Sequence, residues 1–264
     1  MCGRHDDAYG VSAEFYDILH RAAYQRHAAA LAAPAAEAVV GIVELGAGTG
    51  LVTEVLARAS SVPVHAVEPA TAMRSVLLSR LAAADRSVAD RVTVHACPAQ
   101  GIAYDLEGQA DLAVCLRVIA CLSPPERPAV WRALAAWLVP DGLLFLDRPP
   151  GQVPDCPRRR LLGEARVGSD TYAGWLTECP DGERIRYAYS YRVHRQGRVV
   201  RRAEETFHVW PMTSGALETE LADAGFRLEG TASPEADVLR ATRLASRTRS
   251  LPRGPGRGAG RRKL

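Results

Sequence analysis

The sequence holds no run of 18 apolar residues, and residues 1–10 are polar rather than a basic, apolar and small-residue leader. The first absence argues against a membrane-spanning helix and the second against export, so the expected location is cytoplasmic. Cysteine is sparse: the six residues, at positions 2, 97, 115, 121, 156 and 179, form no C-x-x-C pair and stand at no Cys/His ligand spacing. A zinc module and a disulfide framework are therefore set aside in favour of reduced thiols. Clustered carboxylates that could hold a catalytic cation are also missing, so no metal is expected. Acidic residues are absent from residues 243–264, which carry eight Arg and Lys among repeated Gly and Pro with no apolar period. This tail is expected to be disordered. The formal charge of +3 is a property of the tail, and the preceding body is mildly acidic. Such a tail could bind nucleic acid electrostatically, but a solvated tail is the preferred reading.

What is present is a chain of 264 residues, 47% hydrophobic, enough for one large domain or one domain with an insertion. It is organised around residues 39–51, V-V-G-I-V-E-L-G-A-G-T-G-L. A β-branched run at 39–43 leads through Glu44 into Gly46, Gly48 and Gly50, and a helical pattern follows over 52–59. This is a buried strand, a glycine turn and a helix start, the opening unit of a doubly wound α/β sheet. Glycines let a ligand approach the backbone, and the helix start offers free N–H groups. The third glycine comes one residue too early for the dinucleotide pattern G-x-G-x-x-G. Glu44 would repel a pyrophosphate but suits an ammonium or a hydroxyl.

The stretch E-L-G-A-G-T-G resembles motif I of the class I S-adenosylmethionine-dependent methyltransferases. The resemblance implies a Rossmann-like seven-stranded sheet, S-adenosylmethionine as cofactor and S-adenosylhomocysteine as product. Glu44, Gly46, Ala47, Gly48 and Gly50 would form the cofactor turn. Glu68 ends a second strand, 64–67, and stands 20 residues beyond Gly48, where an acid can take both ribose hydroxyls. Pro69 follows it, and Met73 matches the apolar residue that covers the adenine face in the family; it also reads as a first-turn core residue. After the third strand, 92–96, the family usually places an aspartate for the adenine amino group. Pro98 stands there instead, so Ala99 or Gln100 is expected to substitute.

Residues 11–27 have helical spacing at Phe15, Ile18, Leu19 and Ala22. By residue type alone, Tyr16 and His20 are ordinary members of an amphipathic helix. The run A-E-F-Y-D-I-L-H, however, resembles the N-terminal segment of small-molecule methyltransferases from antibiotic pathways, above all those that methylate amino sugars. In that family it closes over the methyl donor, and Tyr16 matches the tyrosine that reaches the reaction centre. His20, one turn later, is a candidate proton acceptor at neutral pH or a plain surface residue. An alanine-rich helix broken by Pro34 follows at 28–38.

Residues 111–122 read as strand four and the loop beyond it, with Asp111 structural. Leu116 is placed beside the cofactor. Arg117 stands where the resembling enzymes carry an uncharged residue, and is expected to point toward an acidic or carbonyl-bearing acceptor or toward Glu44. A helix and an L-x-P-x-G turn lead into strand five, 143–147. Residues 149–168 read as a linker. Two alternating segments joined by Gln196-Gly197 then form an inserted antiparallel β-sheet, about 171–210, expected to shape the acceptor pocket or pair subunits. A helix over 213–224 and an antiparallel edge pair, 226–229 and 238–242, close the domain, taken as 1–242.

The expected function is methyl transfer to a small-molecule acceptor, the amine nitrogen of an antibiotic-type intermediate. Alternatives are an O-methyltransferase of a similar product, an RNA or protein methyltransferase using the tail, and a cofactor-binding protein without transfer. Monomer and homodimer both remain open.

Overall fold

The computed structural model describes residues 9–99, 106–233 and 237–245. The β-branched chemistry of the opening stretch forms a shorter strand than its run of valines suggests. Strand β1 is Ile42–Leu45, buried at all four positions, while Val39 and Val40 are exposed. The strand begins late because Asp111 holds the approach to it: its carboxylate accepts the amides of Val39, Val40 and Gly41 at 2.7, 3.2 and 3.2 Å. The structural role expected of Asp111 is thus a clamp on the first strand.

From β1 the chain runs through α2 (Leu51–Ala59), β2 (Val64–Val67), α3 (Thr71–Ala83), α4 (Arg86–Ala89), β3 (Val92–His95), β4 (Ala110–Cys115), α5 (Arg127–Trp137) and β5 (Leu138–Asp147). These five strands pair in parallel. After the inserted sheet, α6 (Ser214–Asp223), β10 (Phe226–Ser233) and β11 (Val238–Arg243) return as an antiparallel edge. The order is β10-β11-β5-β4-β1-β2-β3. Chain order reverses between β1 and β4, and the crevice at the carboxyl ends of strands flanking such a reversal is where open α/β sheets bind ligands. Both faces are covered. Trp131, Leu134, Trp137, Leu217 and Leu221 of α5 and α6 pack on one side. Leu31, Ala35, Leu56 and Val88 fill the other.

The first helix, α1, is one element, Ser12–Glu37, and not two. Pro34 stands in its last turn, where the missing N–H costs one bond, and the fully buried Leu31 and Ala35 hold that turn against the sheet.

The inserted sheet is larger than expected. It has four antiparallel strands, β6 (Arg158–Val167), β7 (Asp170–Asp181), β8 (Arg184–Arg195) and β9 (Arg198–Val209), in sequential order. Strand β6 lies where a linker was expected. It is an edge strand exposed along most of its length, so Arg158, Arg159, Arg160, Glu164 and Arg166 meet no requirement for an apolar face. A charged edge also discourages pairing with another chain. Helix α1 lies directly on this sheet. A Cβ on Gly163 would come within 2.9 Å of the Leu19 carbonyl oxygen, so this glycine is needed for the approach, and one on Gly174 would come within 2.5 Å of Leu19 Cδ1 and push that side chain aside. Phe15 and Tyr191 stack at 4.2 Å between ring centroids across the junction. Among the described residues no helix is long and apolar enough to cross a membrane.

Candidate active site

The turn after β1 carries three glycines in the left-handed region, Gly46, Gly48 and Gly50, with φ of +76°, +58° and +82°. They serve different ends. A Cβ on Gly46 would lie 2.3 Å from Val118 Cγ2, and one on Gly50 2.4 Å from Leu77 Cδ1, so these two are fixed by packing. A Cβ on Gly48 would meet nothing within 4 Å, so this glycine faces open space. The amides of Gly46 and Ala47 are spent on the Val67 carbonyl at 2.9 and 3.1 Å. The Gly48 amide donates to Glu68 Oε2 at 2.8 Å, and Ala70 donates to Glu68 Oε1 at 2.7 Å. The second strand's acid therefore braces the glycine turn.

Glu44 is buried and accepts a hydrogen bond from Thr53 Oγ1 at 2.5 Å. Burial is the main force on its carboxyl; Thr53 opposes it and Glu68 adds to it, and the pKa is pushed up to about 8. Glu44, Gly46, Ala47, Gly48 and Leu116 share a cavity with Tyr16. Pro69, Met73 and Ala99 do not line it. Met73 is a buried residue of the first turn of α3, Ala99 belongs to the core under α5, and the Pro69 carbonyl accepts from Arg74. Gln100 and the tail from residue 246 lie outside the described residues.

This first cavity measures about 20 Å³, room for roughly one water. Helix α1 closes it. Asp17 accepts from the Thr49 hydroxyl of the glycine turn and pairs with Arg80 of α3, whose Nε donates to the Thr49 carbonyl at 3.0 Å.

A second cavity, about 450 Å³, opens between the carboxyl ends of β4 and β5, α1 and the inserted sheet. Tyr16 lines both cavities. Its hydroxyl is hydrogen-bonded to that of Tyr24, and burial holds both phenols above their ordinary pKa, Tyr24 at about 12. His20 also faces the second cavity, with its ring 4.8 Å from that of Tyr16. It is not a surface residue: it is buried, and burial first, then Arg117 and Arg160, lower its pKa to about 4. At neutral pH it is an uncharged imidazole.

Arg117 enters the cavity from a left-handed backbone conformation, φ +59°, rare for a residue with a side chain. Two bonds hold it there. Its amide donates to Asp147 Oδ1 at 2.6 Å, and its carbonyl accepts from Cys121 Sγ at 3.4 Å. The guanidinium lies over the Tyr24 ring, 5.1 Å from the centroid. The expectation that it might turn to Glu44 is not met; Glu44 is engaged by Thr53 instead. The structure thus brings Tyr16, His20 and Arg117 to one cavity.

The sequence reading did not single out Tyr24 or Asp147 for the site. Asp147 could have been found as an acid at the carboxyl end of a central strand. Its carboxyl is raised by burial, against the opposing pull of the Arg117 amide and guanidinium. Tyr24 carried no signal beyond helical spacing from Tyr16. No group of three or more metal-ligating side chains occurs among the described residues.

A motif-bearing glycine turn under a seven-stranded sheet of this order defines a class, and the sequence agrees: residues 43–144 match the family described as "Methyltransferase domain". Residues 43–144 thus carry a methyltransferase domain, and the chain has the fold of the class I methyltransferases. No curated protein matches the chain. Solved structures do. CalS10, an amino pentose methyltransferase from Micromonospora echinaspora involved in calicheamicin biosynthesis, is 22% identical with a TM-score of 0.67, covering 84% of this chain and 92% of its own. DesVI of Streptomyces venezuelae is 19% identical with a TM-score of 0.71, at 89% and 98% coverage. The sugar N-methyltransferase KedS8 from Streptoalloteichus sp. is 19% identical with a TM-score of 0.67, at 87% and 93%.

Proposed function

We propose that the protein methylates the amine nitrogen of a small natural-product intermediate bound in the 450 Å³ cavity. The observation that carries this reading is the position of Tyr16, on the wall of both cavities. A volume of this size is ordinary for a small-molecule site. Two proteins of similar fold, the amino pentose methyltransferase CalS10 and the sugar N-methyltransferase KedS8, support the same reading.

The residues of the first cavity fit S-adenosylmethionine by their chemistry. Gly48 leaves space beside its backbone and the buried Glu44 carboxyl lines the cavity, while Glu68, which braces the turn through the Gly48 amide, is the acid proposed for the ribose hydroxyls. When bound, the cofactor supplies an electrophilic methyl group on a sulfonium. The chain's own residues exclude water, through α1 and the tyrosine wall, and hold the acceptor in line, which can contribute much of the rate.

The acid–base groups favour nitrogen over oxygen. A hydroxyl needs a real base, and His20, with a pKa of about 4, is a weak one. An amine needs only to be unprotonated. The positive field of Arg117 and Arg160 that helps keep His20 neutral also disfavours an ammonium beside it.

The test is to incubate the protein with S-adenosylmethionine and a panel of amino sugars and aromatic amines, each beside its hydroxyl analogue, and to find the methylated product by mass spectrometry. Transfer to hydroxyls alone, or to none, overturns the reading.

A further inference from the structure

Three arginines line the second cavity, and they are not equivalent. Arg148 pairs with Asp237 at 3.4 Å and Arg160 with Glu178 at 3.6 Å, both toward the exposed rim. Arg117 pairs with no carboxylate among the described residues. Asp147, the near acid, uses Oδ1 to take the Arg117 backbone amide, while the guanidinium lies against the Tyr24 face. A buried cation with no carboxylate at salt-bridge distance, compensated only by the Tyr24 face and the longer-range pull of Asp147, keeps unused donors in the cavity. It is also held in a left-handed backbone conformation that a glycine would adopt more cheaply. Costs of this kind are characteristic of binding sites.

We infer that the acceptor carries an anionic oxygen group, a carboxylate or a phosphate, that docks on the Arg117 guanidinium, and that Arg117 thereby determines acceptor specificity. This rests on the small-molecule reading above and names the acceptor's chemistry. The planar fork of donors matches either anion bidentately. Tyr16, Tyr187, Tyr189 and Phe207 provide flat walls around it, so the anion is expected on or near a ring. Arg117 therefore touches the acceptor and not the methyl donor.

The experiment uses the full chain saturated with S-adenosylhomocysteine and three phenyl probes: benzoate, its neutral isostere benzamide, and phenyl phosphate. Dissociation constants are measured by ligand-observed NMR for wild type, Arg117→Met and Arg117→Lys. In wild type at least one anion is expected to bind about tenfold or more tightly than benzamide, the scale of a hydrogen-bonded charge pair. Which anion wins separates the carboxylate from the phosphate source. In Arg117→Met that preference disappears while benzamide and S-adenosylhomocysteine bind as before, and Arg117→Lys retains part of it. Equal binding of all three probes in wild type, no anion binding up to millimolar concentration, or an anion preference surviving in Arg117→Met overturns the inference. A thermal melt of the cofactor-free protein gives a second readout. Arg117→Lys keeps a cation opposite Asp147 and should melt near wild type, so a Lys variant that melts as wild type yet loses the whole anion preference would also overturn the inference. Anion preference without methyl transfer to any amine would support this inference and sink the transfer reading alone.

Discussion

The hydroxyls of Tyr16 and Tyr24 hydrogen-bond to each other along one face of α1, at the boundary between the glycine-turn cavity and the larger one. The bond fixes where the Tyr16 oxygen lies, and the Arg117 guanidinium lies over the Tyr24 ring. Tyr16→Phe keeps the ring and removes this oxygen. The expected result is a kcat about tenfold or more lower with little change in the KM for S-adenosylmethionine, the pattern of an interaction that matters in the transition state. Steady-state kinetics decide it; an unchanged kcat removes Tyr16 from the reaction centre.

Glu68 joins the amides of Gly48 and Ala70. Glu68→Ala removes the acceptor for both and the acid proposed for the ribose. Hydrogen bonds to a charged group are worth about 1.5–3 kcal/mol each, so affinity for S-adenosylhomocysteine should fall about tenfold or more. Glu68→Gln keeps one acceptor oxygen and should fall less. Calorimetric titration giving wild-type affinity in Glu68→Ala would refute the ribose assignment.

Glu44 gives the fold a pH dependence of known sign. Its carboxyl has a pKa of about 8 in the folded protein against 4.5 as the reference value. A raised pKa means that the folded state binds more protons than the unfolded state between these values. The contribution of Glu44 to stability is therefore fully present below pH 4.5 and is lost as pH rises through about 8. Glu44→Gln cannot ionise. The Tm of Glu44→Gln minus that of wild type, measured without cofactor, should grow from pH 5 to pH 9. A difference that stays flat means that Glu44 is not held protonated.

The parts of the site that were legible in the sequence depend on backbone chemistry over short range. A glycine turn after a buried strand, and an acid at the end of the next strand, are local patterns, and in the fold the Gly48 amide donates to Glu68. The inserted sheet was legible where strands alternate, in β8 and β9, and illegible in β6, whose edge position leaves charged residues on both faces. The acceptor cavity was only partly legible because its members come from distant segments. Asp147 is brought to Arg117 by the pairing of β4 with β5, and the direction of Arg117 depends on a left-handed turn that its residue type does not announce. His20 was ambiguous between surface and site because helical spacing fixes a face and not what covers it. Here Gly163 lets the inserted sheet and α1 meet, and His20 is buried near that junction.

The closure of the glycine turn by α1 has a kinetic consequence. A space of about 20 Å³ holds no nucleoside, so the proposed cofactor site is expected to open by movement of the first half of α1. That half is held at two ends. Ser12 bonds the Tyr191 hydroxyl at 2.9 Å and its amide donates to Glu205 at 2.7 Å, which ties it to the inserted sheet. Asp17 ties it to Thr49 and Arg80. Arg80 also pairs with Glu54 at 3.2 Å, so it is not stranded when Asp17 leaves, and the Asp17 bonds are the part of the opening cost that lies at the glycine turn. Asp17→Asn keeps the shape and removes the charge. The pair is partly exposed, at 16% and 20%, so its worth is discounted to about 1 kcal/mol, or about fivefold in the open population. Association of S-adenosylhomocysteine should then speed up by about this factor, because apparent binding scales with the fraction of the competent state. Dissociation should speed up as well, since the same latch closes over the bound cofactor, and the dissociation constant should change less than either rate. Stopped-flow measurement of both rates is decisive: an association rate equal to that of wild type would mean that α1 does not gate the site through Asp17.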